Sequence, residues 1–183
     1  GAKLHIPICH VEAGTRTHSM TNPEEINRVC ADHVSSLLLA VTDEDYANLE
    51  LENLGSRAVL VGNTMYDAFV KNSMKKSPSD FTLTKLDGSG EVSVPGEYYY
   101  MTCHREENTN DDESLNGILR AMNSLDAPTI YPVHPRNKER AVSICTENKF
   151  DNVILTNPVG YLTSISLVND AKKIVTDSGG LQR

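Results

Sequence analysis

The chain has 183 residues, 25 acidic against 17 basic side chains and a formal net charge of −8. A nucleic-acid backbone is therefore not an expected partner, since polyanions are held by basic surface. With 39% hydrophobic residues and a mean hydropathy of −0.36 it reads as one globular domain or two small ones, and its longest apolar run, Leu37–Val41, is far short of the ~20 residues of a membrane span.

The four cysteines, Cys9, Cys30, Cys103 and Cys145, show no CxxC spacing. Three of them lie inside apolar segments. Buried free thiols in a reducing compartment, the cytoplasm, are the expectation, ahead of disulfides or zinc.

Residues 3–10 read as a strand that runs into His10-Val11-Glu12-Ala13-Gly14. A carboxylate at the carboxyl end of a strand sits where open α/β sheets place their ligands, and burial there would suit it to proton transfer. The competing reading is a solvated loop acid. Next, Asn22 is an expected N-cap with Pro23 in the first helical position and Glu24 and Glu25 in the electropositive first turn. Ile26, Val29, Cys30, Val34 and Leu37 recur at helical spacing, and Leu37–Val41 forms a short strand. Thr42 caps a helix over Asp43–Leu54 that stops at Gly55. Arg57–Val61 is the next strand, and a helix follows Gly62-Asn63-Thr64 to about Met74.

The stretch 75–96 breaks this rhythm. Ser77-Pro78-Ser79-Asp80 and Asp87-Gly88-Ser89-Gly90 are loop sequences, read as a linker between two α/β units or as one long loop. The alternation then resumes. Strands are expected at Glu97–Cys103, Thr129–Val133, Val153–Thr156 and Lys173–Thr176, and helices at Asp112–Leu125, Arg136–Asn148 and Gly160–Asp170. Such alternation implies parallel sheets covered by helices. About three strands precede the break and about four follow it, against ~6 in a complete doubly wound sheet. The units 1–74 and 97–183 are thus expected to be incomplete domains, one lacking its front and the other its back.

The second unit adds strand-end candidates: His104 and Arg105 in Thr102-Cys103-His104-Arg105-Glu106-Glu107-Asn108, and His134 in Pro132-Val133-His134-Pro135. A single histidine is more often a structural hydrogen-bonder. Three at strand ends, His10, His104 and His134, favour a shared cleft. No two have close metal-ligand spacing, so no metal is expected. Thr176-Asp177-Ser178-Gly179-Gly180 ends a strand in a glycine turn before a helix start. That is the outline of a phosphate cradle, or a plain turn.

Together these motifs resemble the non-hydrolysing UDP-N-acetylglucosamine 2-epimerases. The resemblance lies in His10–Gly14 with Arg16-Thr17, Pro23–Arg28, Gly62-Asn63-Thr64 with Asp67-Ala68, His104–Asn108, Pro132–Pro135 and Thr176–Gln182, in that order across nearly the whole chain. It implies the GT-B arrangement of two Rossmann-like domains, with a UDP-sugar in the cleft between them. It implies inversion at C2 by elimination of UDP to a glycal and re-addition, in the synthesis of surface polysaccharide precursors. Glu12 and Glu24 match the catalytic glutamates, and His104 the active-site histidine near the diphosphate. Ser178, Gly179 and Gly180 match the phosphate loop. His134 and Arg105 match positions associated with UDP-sugar or regulatory binding, and His10 is grouped with that set. The implied partner is the UDP-sugar, without cofactor, in a homodimer when full length. The chain looks like the middle of such a protein and, alone, is expected to be inactive.

Two departures bear on the substrate. Ser164 stands where many members carry an aromatic residue packed on uracil. The Glu12-to-Glu24 spacing is similar to that of relatives acting on UDP-2,3-diacetamido uronic acids, one alternative substrate class. A GT-B glycosyltransferase would use a similar cradle but would not need both glutamates. A non-catalytic UDP-sugar sensor would bind without exchanging the C2 proton.

Overall fold

A computed structural model describes residues 1–72 and 77–182. The chain divides into two compact units, Gly1–Tyr66 and Asp67–Arg183.

In the first unit three strands, β1 (Cys9–Ala13), β2 (Leu37–Ala40) and β3 (Ala58–Leu60), form a parallel sheet in the order β1-β2-β3. Helices α1 (Pro23–Val34) and α2 (Asp43–Leu51) are the crossovers. The Asn22 side chain accepts the Glu24 N–H, and Pro23 opens α1, as its sequence requires. Thr42 and Asp45 close a reciprocal capping box on α2. Ala13, Leu38, Ala40, Leu49 and Leu54 are the buried core.

Three local expectations are corrected. Residues 3–8 are not strand: Ala2–Leu4 is a 3₁₀ turn, His5 is left-handed, and Leu4 and Ile6 are exposed. Pro7 has no N–H for a ladder, so pairing starts beyond it. Helix α2 stops at Leu51 rather than Leu54. Asn53, at φ 61°, takes the left-handed cap position, with Leu54 N–H on the Leu49 carbonyl and Asn53 N–H on that of Glu50. Finally, the buried residues of α1 are Glu25 and Asp32, whereas Ile26, Cys30 and Val34 are exposed. The inward stripe of this helix is polar.

Gly14 follows β1 at φ 86°, and a Cβ on it would lie 2.1 Å from the Asp45 carbonyl oxygen. Gly14→Ala combines left-handed strain with overlap against α2, so it should cost about 3 kcal/mol or more. Urea unfolding of the intact protein measures this. A loss below about 1 kcal/mol would mean that α2 moves aside at little cost.

Helix α3 (Thr64–Asn72) contains the boundary between the units. Its expected extension to Met74, with Lys75 and Lys76 of the expected linker, lies outside the described residues. Within residues 77–96, β4 (Thr82–Thr84) and β5 (Glu91–Ser93) form an antiparallel hairpin. Its turn is Asp87-Gly88-Ser89-Gly90, with both glycines at positive φ. Leu83 and Leu86 are buried in the second unit's cores, and Leu86 N–H donates to the Leu155 carbonyl. Strands of three residues are too short to show alternation, so only the turn was legible.

The second unit's main sheet is parallel, in the order β8-β7-β6-β9. Its strands are β6 (Tyr99–Thr102), β7 (Thr129–Pro132), β8 (Val153–Thr156) and β9 (Ile174–Thr176). Alternate residues serve opposite faces. Met101 and Tyr131 pack with Leu115, Leu119 and Ile144 on one side, and Tyr100 and Ile130 with Leu167 on the other. The remaining helices are α4 (Glu106–Thr109), α5 (Asp112–Asn123), α6 (Lys138–Asn148), α7 (Tyr161–Asp170) and α8 (Gly179–Gln182). The chain winds outward from β6 through β7 to β8, then returns across β6 to β9. This makes a switch point between β6 and β9, the place where such sheets bind ligands.

Candidate active site

In the first unit, Glu12 lies within β1, but the ladder skips it. Val11 pairs with Leu39 and Ala13 with Ala40. Glu12 is a bulge at φ 64°, a left-handed conformation that a glutamate adopts at a cost of about 1–3 kcal/mol. Its side chain is exposed, so the expected burial is not found. The feature that singles it out is backbone strain.

Around the bulge sits a buried polar network. Asp32, with no exposed side-chain surface, accepts from His10 Nδ1 at 2.5 Å, the Gly14 N–H at 3.1 Å and Arg16 Nη1 at 2.8 Å. Arg16 also forks onto Glu52 at 2.6 and 2.8 Å. The Glu52 hydrogen bond raises the Arg16 guanidinium further above its ordinary value. Burial opposes the rise and the Asp32 hydrogen bond adds to it.

Glu24 and Glu25 are adjacent but have different environments. Buried Glu25 accepts the N–H groups of Thr17 and His18 and the Thr17 hydroxyl. Burial pushes its carboxyl up, but these donors hold it below the usual range. Glu24 is exposed, 3.3 Å from Arg28 one turn on.

In the second unit His104 and Arg105 follow β6, and Asp177 and Ser178 follow β9, at the switch point. Asp177 gathers them. Its carboxylate accepts the N–H groups of His104 (2.9 Å) and Arg105 (2.8 Å) and the Asn108 amide (3.1 Å), and lies 3.3 Å from His104 Nδ1. Burial pushes this carboxyl up, but the donors hold it below its ordinary value. The Ser178 N–H donates to the Thr176 hydroxyl, which bonds that of Thr102. Gly179 opens α8 with free space where a side chain would stand, and Gly180 lies in the same turn.

His134 caps a 3₁₀ turn, Pro135–Asn137. From that turn Arg136 reaches the His104 carbonyl at 2.5 Å and Glu106 at 3.5 Å. His104, Arg105, His134 and Ser178 are thus held at one sheet edge, while His10, Glu12 and Glu24 belong to the first unit. Ser164, on α7, shares a 2.9 Å hydrogen bond with the buried Tyr100 hydroxyl.

All four cysteines are free. Cys9 and Cys30 are exposed rather than buried, since β1 is an edge strand and Cys30 lies off the inward stripe of α1. Burial pushes the Cys103 thiol up to about 12 and that of Cys145 to about 11. Among the described residues no helix is long and apolar enough to cross a membrane.

Sequence reasoning missed Asp32, Glu25, Asp177 and Arg136. The available signals were two acids one inward stripe apart on α1, and an acid directly before the Ser-Gly-Gly turn. Asp177 yields a pH test. Its folded-state pKa is lowered, so its stabilisation is present above the unfolded value and lost as pH falls through the folded one. Asp177→Asn should cost about 1–3 kcal/mol at neutral pH and flatten the acid limb of the stability profile. An unchanged acid limb would contradict this.

The model of the UDP-N-acetylglucosamine 2-epimerase family matches residues 1–183. A UDP-N-acetylglucosamine 2-epimerase homolog of Methanococcus maripaludis is 40% identical over 100% of this chain and 51% of its own length. The UDP-2,3-diacetamido-2,3-dideoxy-D-glucuronate 2-epimerase of Pseudomonas aeruginosa is 37% identical over 100% of this chain and 49% of its own. The Methanocaldococcus jannaschii UDP-GlcNAc 2-epimerase, solved in complex with UDP-GlcNAc and UDP, superposes with a TM-score of 0.79 at 35% identity. That match covers 99% of this chain and 51% of the other. The chain thus spans about half the length of the relatives it matches. The expected class, parallel α/β units of the GT-B type, is the fold of these neighbours. With the family model aligned from the first residue to the last, the chain belongs to the UDP-N-acetylglucosamine 2-epimerase family.

Proposed function

We propose that the protein interconverts UDP-N-acetylglucosamine and UDP-N-acetylmannosamine. The observation that carries this reading is Glu12, a carboxylate held in a strained bulge at the end of β1 in a family of 2-epimerases. One carboxylate, Glu12 or Glu24, takes the C2 proton as the C1–O bond breaks and UDP departs. The other carboxylate, in its acid form, protonates C2 of the glycal on the opposite face, and UDP adds back at C1. Each proton transfer by a positioned side chain contributes about 10²–10⁴-fold.

The departing diphosphate needs donors aimed at its growing charge. His104, the Ser178 hydroxyl and the N–H groups of Gly179 and Gly180 supply them, supported by their place at the switch point, where Asp177 holds the His104 and Arg105 N–H groups. His10, Arg105 and His134 complete the UDP-sugar contacts. The protein works as a homodimer in the cytoplasm, supplying precursors for surface polysaccharide.

The 37% identity to the Pseudomonas aeruginosa enzyme favours a second substrate class, the UDP-2,3-diacetamido uronic acids. The two are separated by supplying each UDP-sugar to the intact protein without an acceptor and resolving the epimers by chromatography. UDP-N-acetylmannosamine is the expected product. Product from the uronic acid alone would reassign the substrate, and product only with an acceptor sugar would indicate a glycosyltransferase.

A further inference from the structure

We infer that Asp32 is a positioning residue for the acid–base step: it holds Glu12 in its bulge. The inference rests on Glu12 being a catalytic carboxylate.

The Asp32 carboxylate spans the bulge. One oxygen accepts a hydrogen bond from His10 Nδ1 at 2.5 Å, two residues before Glu12, and the other accepts from the Gly14 N–H at 3.1 Å, two residues after it. Between these anchors Glu12 has no ladder partner and stands at φ 64°. A glutamate stays in that conformation only where its surroundings over-determine it. Asp32 provides this from a separate element, α1, with its side chain fully buried. Arg16, bonded to Asp32 and doubly to Glu52, balances the buried charge.

The clamp also sets the histidine. A carboxylate can only accept, so His10 Nδ1 carries the proton and Nε2 is the free ring atom. The strain at Glu12 is thus matched by a buried ion pair that aims the carboxylate without touching it. Loss of that aim acts on turnover, because misplacing a catalytic group by about 1 Å can cost ~10²-fold.

The test is a double-mutant cycle on the intact protein. Asp32→Ala should lower kcat by about tenfold or more with KM little changed. Asp32→Asn, which can still span both anchors, should retain more turnover. In a Glu12→Gln background Asp32→Ala should cause no further loss, because its target is already gone. The partner for the case in which Asp32→Ala does not fold is Asp32→Leu with Arg16→Met. It removes both buried charges together, which costs less than leaving Arg16 buried without Asp32. It should behave the same way in the cycle. Equal fold-losses with and without Glu12, or an unchanged kcat, would overturn the inference. Normal turnover in Glu12→Gln alone would instead overturn the role of Glu12. The clamp would then be read from Gly14 amide exchange, which should quicken in Asp32→Ala, and an unchanged rate would refute it.

Discussion

Glu12→Gln in the intact protein should lower epimerisation turnover by about 10²-fold or more, the scale of a lost general acid or base. The side chain is exposed, so the substitution should leave the unfolding midpoint unchanged. Glutamine keeps the shape and loses only the titrating group. A companion variant separates strain from chemistry. Glu12→Gly places at φ 64° the one residue that occupies the left-handed region without penalty, so it should raise stability by about 1 kcal/mol. Its turnover should be as low as that of Glu12→Gln. Near-normal kcat in both would remove Glu12 from the chemistry.

Asp32→Ala should be the most destabilising single change at the site, by about 3–5 kcal/mol. Arg16, whose side chain is 2% exposed, would keep its charge with one partner gone. The Gly14 N–H and His10 Nδ1 would lose their acceptor. The contrast is Glu24, whose pair with Arg28 is exposed. Glu24→Gln should leave stability essentially unchanged, because exposed pairs contribute little. Urea denaturation of the two variants side by side checks the ordering. Similar midpoints would show that the buried network is not a stabilising unit.

The sequence was most legible where local chemistry decides structure. The Asn22 and Thr42 caps, Pro23 at the first helical position and the β/α alternation after residue 97 all depend on neighbours within a few residues. It was least legible where tertiary contacts overrule periodicity. The apolar spacing of Ile26, Cys30 and Val34 suggested an inward stripe, yet α1 turns Glu25 and Asp32 inward to bind the loop after β1. The hairpin Thr82–Ser93 was hidden because its strands gain their burial from β8 and α7, far along the chain.

At the candidate site, the strand-end motifs follow or end β1, β6, β7 and β9, and the resemblance implied roles for Glu12, Glu24 and His104. Neither pointed to the carboxylates that organise them. Asp32 and Asp177 act through backbone N–H groups 18 and 73 residues away, and such pairings leave no local pattern.

The most direct test is solvent isotope exchange at C2. UDP-N-acetylglucosamine is incubated with the intact protein in deuterium oxide, with no acceptor, and followed by proton NMR. The expected result is loss of the C2 proton signal from recovered substrate together with C2-deuterated UDP-N-acetylmannosamine. Tight binding of UDP-N-acetylglucosamine with the C2 proton fully retained would contradict the epimerase reading.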